Sequence, residues 1–203
     1  MVKIAKLGIM GGTFNPIHIG HLVCAEEARS QYGLDEIIFM PTGLPPHKEI
    51  EGGTSPEARY LMTVIATAVN PRFQVSRYEL DKEQLCYTVD TVRYLREEKA
   101  GVELYFITGA DAVLEILGWK DPEELLRMAN LIAATRPGYP LDRLSEITGR
   151  FSRQDRVKVM EIPAIGVSSS LVRERVRRRM SIRYLVPVGV EQFIDKEGLY
   201  RQT

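Results

Sequence analysis

Two histidines three residues apart, His18 and His21, follow the run Gly11-Gly12-Thr13-Phe14-Asn15-Pro16. An apolar stretch, Ile4 to Met10, precedes that run, and a helix-like stretch, Leu22 to Gln31, follows the histidines. Strand, glycine-rich turn and helix together place an anion on a helix N-terminus, where free N–H groups and the helix dipole favour negative charge. The glycines let backbone N–H groups approach a phosphate closely. The imidazoles, on one face of the first helical turn, add donors aimed at the same anion. The pattern points to chemistry on a nucleotide's phosphates. It is not the dinucleotide fingerprint, because Gly8, Gly11 and Gly12 do not make GxGxxG, and it lacks the closing Gly-Lys-Ser/Thr of a P-loop. A metal site and a capping or core role remain other readings of the histidines. No Cys, Asp or Glu at suitable local spacing completes a metal set.

Four further segments carry similar chemistry. Met40-Pro41-Thr42-Gly43-Leu44-Pro45-Pro46-His47-Lys48 sets a long-stemmed point cation beside stiffening prolines, which suits phosphate or a solvated loop equally. In Cys86-Tyr87-Thr88-Val89-Asp90-Thr91, Thr88 opens a helix whose free N–H groups could take a carboxylate. Ile107-Thr108-Gly109-Ala110-Asp111 ends a strand and opens a helix, with Asp111 either facing ligand or capping. Ile165-Gly166-Val167-Ser168-Ser169-Ser170-Leu171-Val172-Arg173 supplies hydroxyls, a helix start and a forked cation one turn in. Arg175, Arg177, Arg178, Arg179 and Arg183 surround it. They read as a solvated face more readily than a nucleic-acid footprint, because no aromatic platform accompanies them.

Taken together these motifs resemble the nucleotidylyltransferase superfamily, whose (H/T)xGH signature matches His18-Ile19-Gly20-His21. More narrowly, the chain resembles the bacterial nicotinate-mononucleotide adenylyltransferases. Their pattern reads Gly-Gly-Thr-Phe-Asp-Pro, and this chain has Asn15 in place of the acid. Pro45-Pro46-His47-Lys48, Tyr87-Thr88 and the serine motif match in the same order along the chain. The resemblance implies transfer of the adenylyl group of ATP to nicotinate mononucleotide, with Mg2+ carried on the ATP phosphates and no protein-held metal. It implies His18, His21, Lys48 and Arg173 as the catalytic set. Gly11, Gly12, Thr13, Phe14, His18, Gly20, His21, Gly109, Asp111, Ser168, Ser169 and Arg173 are implied for ATP. Asn15, His47, Lys48, Tyr87, Thr88, Trp119 and Arg136 are implied for the nicotinate nucleotide, with Trp119 stacking on the pyridine ring and backbone N–H groups near Thr88 and Trp119 taking its carboxylate. Another acceptor (nicotinamide mononucleotide, phosphopantetheine or a sugar phosphate) and a non-catalytic nucleotide sensor stay open.

Something must hold these motifs together. Apolar strand runs are expected at 4–9, 36–40, 73–76, 103–108, 130–134 and 156–161. Helices are expected at 19–31, 56–69, 88–98, 111–117, 122–127, 141–148, 169–179 and 189–196. Leu61, Met62, Ile65, Ala68 and Val69 form the expected buried stripe of the second helix. Ser55-Pro56 is an expected cap, and Asp121-Pro122-Glu123-Glu124 an expected capping box. Repeated βα alternation implies a doubly wound, mainly parallel α/β sheet with helices on both faces. A single domain over residues 1–203 is expected, with a small helical C-terminal part from about 165. Acidic and basic residues balance at 27 each, so no global field points to nucleic acid or membrane. No apolar run is long enough to span a bilayer, and the N-terminus reads straight into a strand. Cys24 and Cys86 are isolated, which fits reduced buried thiols in a cytoplasmic protein. A homo-oligomer is neither implied nor excluded.

Overall fold

A computed structural model of the chain describes residues 4–44 and 54–201. Six strands form one sheet: β1 (Lys6–Gly12), β2 (Glu36–Pro41), β3 (Phe73–Val75), β4 (Glu103–Gly109), β5 (Ala129–Thr135) and β6 (Val157–Glu161). All neighbours pair in parallel, in the order β3-β2-β1-β4-β5-β6. The winding direction therefore reverses between β1 and β4. Connections leaving the C-terminal ends of these two strands diverge and open a crevice there.

The strands are apolar along their length because both faces are covered. Leu7 and Ile9 pack with Leu104, Phe106 and Leu131 on one face. Met10 packs with Ile107 and Ile132 on the other. The first face is covered by α3 (Thr88–Glu98), α4 (Ala110–Leu114), α5 (Pro122–Met128) and α6 (Leu141–Thr148). The second is covered by α1 (Ile19–Tyr32), α2 (Pro56–Thr67), α7 (Ser169–Arg177) and α8 (Val188–Lys196). Among the described residues no helix is long and apolar enough to cross a membrane.

The expected doubly wound sheet is present, and element limits differ mostly by one to three residues. Three local differences stand out. Gly11 and Gly12 are not turn residues: they extend β1, in register with Met40 and Pro41 of β2. The helix expected over 111–117 stops at Leu114 and continues as a tighter turn, Ile116–Gly118, which leaves Trp119 extended. Asp121 makes no side-chain cap and adopts left-handed backbone (φ 47°). Glu123 instead accepts from the N–H and hydroxyl of Ser152, and Glu124 pairs with Arg127. Ser55 does cap α2, accepting from the N–H of Ala58 at 3.1 Å.

The buried stripe of α2 is rotated from the expected one. Arg59, Met62, Thr63, Ala66 and Thr67 face inward, whereas Leu61 is exposed and Val69 lies outside the helix, largely in solvent. The threonine hydroxyls are satisfied by the helix itself. Thr63 donates to the carbonyl of Arg59 at 2.8 Å, and Thr67 to that of Thr63 at 2.9 Å. With their polar atoms so occupied, these side chains present methyls to the core.

Helix α8 packs on α2 through Gly189, where an added Cβ would lie 2.6 Å from Cγ2 of Ile65. Ile65 is β-branched and stiff at χ1. Gly189→Ala is expected to destabilise the fold by about 1–2 kcal/mol despite alanine's better helix propensity, a loss that equilibrium urea unfolding would read directly.

Candidate active site

Two cavities flank the crevice. One, of about 240 Å³, is lined by Gly11, Gly12, Thr13, Tyr87, Thr88, Trp119 and their neighbours. The other, of about 350 Å³, is lined by His18, Gly20, His21, Gly109, Asp111, Arg136, Ser168 and their neighbours. Successive residues of β4 serve both, Thr108 the first and Gly109 the second. A larger hollow of about 700 Å³ between α7 and α8 contains none of the candidate residues.

The histidines sit at the start of α1. His18 is its extended N-cap residue (φ −143°, ψ 171°), and its backbone N–H donates to Nδ1 of His21 at 3.2 Å. That bond assigns the proton of neutral His21 to Nε2. The two rings stack with centroids 3.7 Å apart, and Phe14 meets His21 edge-on at 5.1 Å. Gly20 leaves room for the stack: a Cβ there would lie 3.1 Å from both His18 and Val167. Burial, with Arg136 nearby, pulls the pKa of His18 down to about 4. Burial and the adjacent His18 push His21 well below its ordinary value. Near pH 7 both rings are neutral, and each offers an N–H donor without a charge.

The loop between β1 and the histidines is tied from behind. Arg59 Nη1 donates to the Thr13 carbonyl at 2.8 Å, and Arg173 Nη1 to the Asn15 carbonyl at 2.7 Å. The Ser169 hydroxyl donates to the Pro16 carbonyl at 2.8 Å, and the Tyr200 hydroxyl to Oδ1 of Asn15 at 2.8 Å. Phe14, between two of these carbonyls, has left-handed backbone (φ 48°) and a buried ring. Asn15, Phe14, Ser169 and Arg173, expected to contact ligand, line neither cavity: the first two belong to the loop itself, and the other two bond its carbonyls.

In the smaller cavity, no side chain caps α3; the N–H of Asp90 donates back to the Tyr87 carbonyl at 3.0 Å, which leaves those of Thr88 and Val89 as the donors its first turn offers. Trp119 stands edge-on to Phe106 with ring centroids 6.2 Å apart. Its backbone N–H, expected for a carboxylate, donates instead to the carbonyl of Ile116 at 3.0 Å. In the larger cavity, Asp111 accepts from the Tyr139 hydroxyl at 3.0 Å. It does not cap α4, whose N-cap is Gly109. Arg136, expected on the acceptor nucleotide, lines this cavity with the histidines. His47 and Lys48 lie outside the described residues. Around α7, Arg178 pairs with Glu174 at 2.6 Å and Arg175 donates to the Ser181 carbonyl at 2.7 Å.

Residues 9–175 match the model of the Cytidylyltransferase-like family. A protein of Moorella thermoacetica named probable nicotinate-nucleotide adenylyltransferase is 52% identical, over 99% of this chain and 94% of the relative. One of the same name from Acidothermus cellulolyticus is 51% identical, over 98% and 96%. This chain belongs to the nicotinate-nucleotide adenylyltransferase family. Its fold is also that of a Plasmodium falciparum nicotinic acid mononucleotide adenylyltransferase complexed with NaAD, at TM-score 0.79, 20% identity and 97% coverage of both chains.

Within this family member, three buried or cavity residues escaped the sequence reading. Arg59 was hidden in an apparent surface helix. Glu79 is buried at the smaller cavity, accepts from the Thr91 hydroxyl at 2.6 Å, and has its pKa raised by burial. Lys120 reaches the same cavity from beside Trp119, pairs with Asp90 at 2.9 Å and lies over the Tyr87 ring. Only the adjacency of Lys120 to the lone tryptophan could have flagged any of them.

The histidines also link stability to pH. Their folded pKa values lie below the unfolded value, so the unfolded chain binds protons that the folded one does not. The stability they permit is complete above about pH 6.5 and falls as pH drops, for His18 down to its folded value of about 4, by up to about 1.4 kcal/mol per pH unit. Chemical unfolding across that window is expected to show the fall, and His18→Gln to flatten it. Equal pH slopes in the two proteins would contradict the assignment.

Proposed function

We propose that this chain joins ATP and nicotinate mononucleotide to give nicotinate adenine dinucleotide and pyrophosphate, a step of NAD biosynthesis, within one catalytic domain. The observation that carries the reading is the pair of cavities meeting at the ends of β1 and β4, with a neutral histidine pair at the start of α1. The names of the relatives and the bound NaAD of the solved neighbour favour the same substrates.

In this reading the adenosine side of ATP occupies the larger cavity, near Gly109 and Asp111. The acceptor occupies the smaller one, its ring beside Trp119 and its carboxylate at the first turn of α3, near Thr88 and Tyr87. The acceptor's 5′-phosphate oxygen attacks the α-phosphorus in line. The bond to the bridging oxygen breaks, and pyrophosphate leaves. The attacking oxygen is already anionic, so no protein nucleophile or general base is needed. The chain's work is to bring two anions together and stabilise the charge that develops. Nε2–H of His21 and the ring of His18 donate to phosphate oxygens without giving up a proton. Gly11, Gly12 and Thr13 bring backbone close to the reacting phosphates, Ser168 opens the α7 end of the cradle, and Lys48 adds a cation. Among the described residues no group of three or more His, Cys, Asp or Glu is placed to hold a metal. In this reading Mg2+ would arrive on the ATP oxygens and neutralise phosphate charge there.

A pyrophosphate-release assay with ATP and a panel of acceptors tests the reading. Nicotinate mononucleotide is expected to be turned over fastest, because α3 offers N–H donors to a carboxylate; preference for another acceptor would refute it. His21→Ala is expected to keep the fold and lower kcat by on the order of 10²-fold or more.

A further inference from the structure

We infer that Arg59 and Tyr200, neither of which lines a cavity, are positioning residues that hold the Thr13–Pro16 loop in the geometry nucleotidyl transfer needs. The inference rests on the function proposed above.

Three separate parts of the chain converge on that loop. Helix α2 sends Arg59 to the Thr13 carbonyl, α7 sends Arg173 and Ser169 to those of Asn15 and Pro16, and the C-terminal segment sends Tyr200 to the Asn15 side chain. None of the four donor residues lines either cavity. Their bonds occupy the carbonyls of Thr13, Asn15 and Pro16, oxygens that would repel a phosphate if they faced it. The loop also stores strain. Phe14 is held left-handed, a conformation costing an aromatic residue on the order of 1–3 kcal/mol unless its surroundings impose it. Its two neighbours are the clamped residues Thr13 and Asn15. Its ring in turn packs edge-on against His21. Loosening the clamp thus reaches the catalytic histidine through one side chain.

Arg59 is an expensive way to build a core. It is fully buried, and its Nε and Nη2 have no hydrogen-bond partner among the described residues. Burial lowers its pKa, as expected for a desolvated cation. A Met or Leu of similar length would fill the space without that desolvation cost. What the guanidinium adds is one bond to Thr13 and a positive charge behind the wall of the acceptor cavity. Tyr200 is analogous: it is buried, with its hydroxyl held by Asn15. A phenylalanine would supply the same ring packing. The hydroxyl serves polar contacts instead, the bond to Asn15 at 2.8 Å and an interaction with Thr54.

Misplacement of reacting groups by about 1 Å can cost on the order of 10²-fold in rate. The test compares wild type with Tyr200→Phe, Arg59→Met and Arg59→Lys, measuring kcat, KM for ATP and KM for nicotinate mononucleotide, with thermal unfolding alongside. Tyr200→Phe is expected to stay folded and lose about tenfold in kcat, with each KM changed by less than about threefold. Arg59→Met is expected to lose about 10²-fold in kcat, and Arg59→Lys to recover part of it by keeping the charge and one donor. Wild-type kcat in folded Tyr200→Phe overturns the inference, even if Arg59→Met does not fold. So does a loss that appears in KM alone, or one that merely tracks the fraction of folded protein. If the wild-type chain itself releases no pyrophosphate with any acceptor, the functional reading fails, and this inference with it.

Discussion

The reaction proposed for this site rests on one constraint: the carbonyls of the loop after β1 must not face the phosphates. The four residues Thr13 to Pro16 carry four carbonyl acceptors but only three backbone N–H donors, because Pro16 has none, and a carbonyl facing a phosphate repels it. Here the inward carbonyls of Thr13, Asn15 and Pro16 each receive a side-chain donor from behind. The donors come from elements far apart in sequence, which is why the cradle exists only in the complete fold. The parallel sheet supplies the frame. The crevice at the β1/β4 reversal supplies the space, and α2, α7 and the C-terminal residues fix the loop between them. Arg173 and Ser169, which look like phosphate ligands in the sequence, bond the carbonyls of Asn15 and Pro16.

The histidines obey the same economy. A charged imidazolium would attract ATP more strongly, but it would have to be desolvated between Phe14, Val167 and its own partner ring. Burial instead keeps both neutral, with Arg136 acting on His18 and His18 on His21. A neutral donor retains its hydrogen bond as charge builds on phosphate oxygens and does not lose a proton to them. Its orientation is set by the main chain, through the bond from the His18 N–H to His21, so little reorganisation accompanies the reaction. Arg136 shares the larger cavity and supplies positive charge where the histidines do not.

The fold was largely legible because parallel strands buried on both faces leave long apolar runs, and the helices between them carry clear starts. α3 and α6 have the limits the periodicity predicts. Legibility failed where polar atoms are satisfied locally. Thr63 and Thr67 close hydrogen bonds to their own helix and pass for surface residues, so the apolar periodicity of α2 points to a different face from the buried one. Arg59 shares that face, and no composition rule places an arginine in a core. In the site, motif order showed which residues gather at the crevice. It did not show which of them touch the cavities and which hold the loop, because that division is set by long-range contacts. Asn15 and Tyr200, which meet across the whole chain, are the extreme case.

Asn15 shows how such a contact limits what a position can hold. The side chain is buried, and the Tyr200 hydroxyl needs an acceptor there. Asparagine and aspartate both present an oxygen at the same distance along the side chain, and either can accept that bond. An aliphatic residue could not, and would strand the hydroxyl without a partner at a cost of about 1–3 kcal/mol. Charge is what separates the two acceptors. A carboxylate would sit beside the Arg173 guanidinium, which already reaches the carbonyl of the same residue. It would also bring negative charge toward a loop that faces phosphate. The amide keeps the acceptor and omits the charge, so the positive field of the buried arginines beneath the loop is left less compensated on the side where the anions meet.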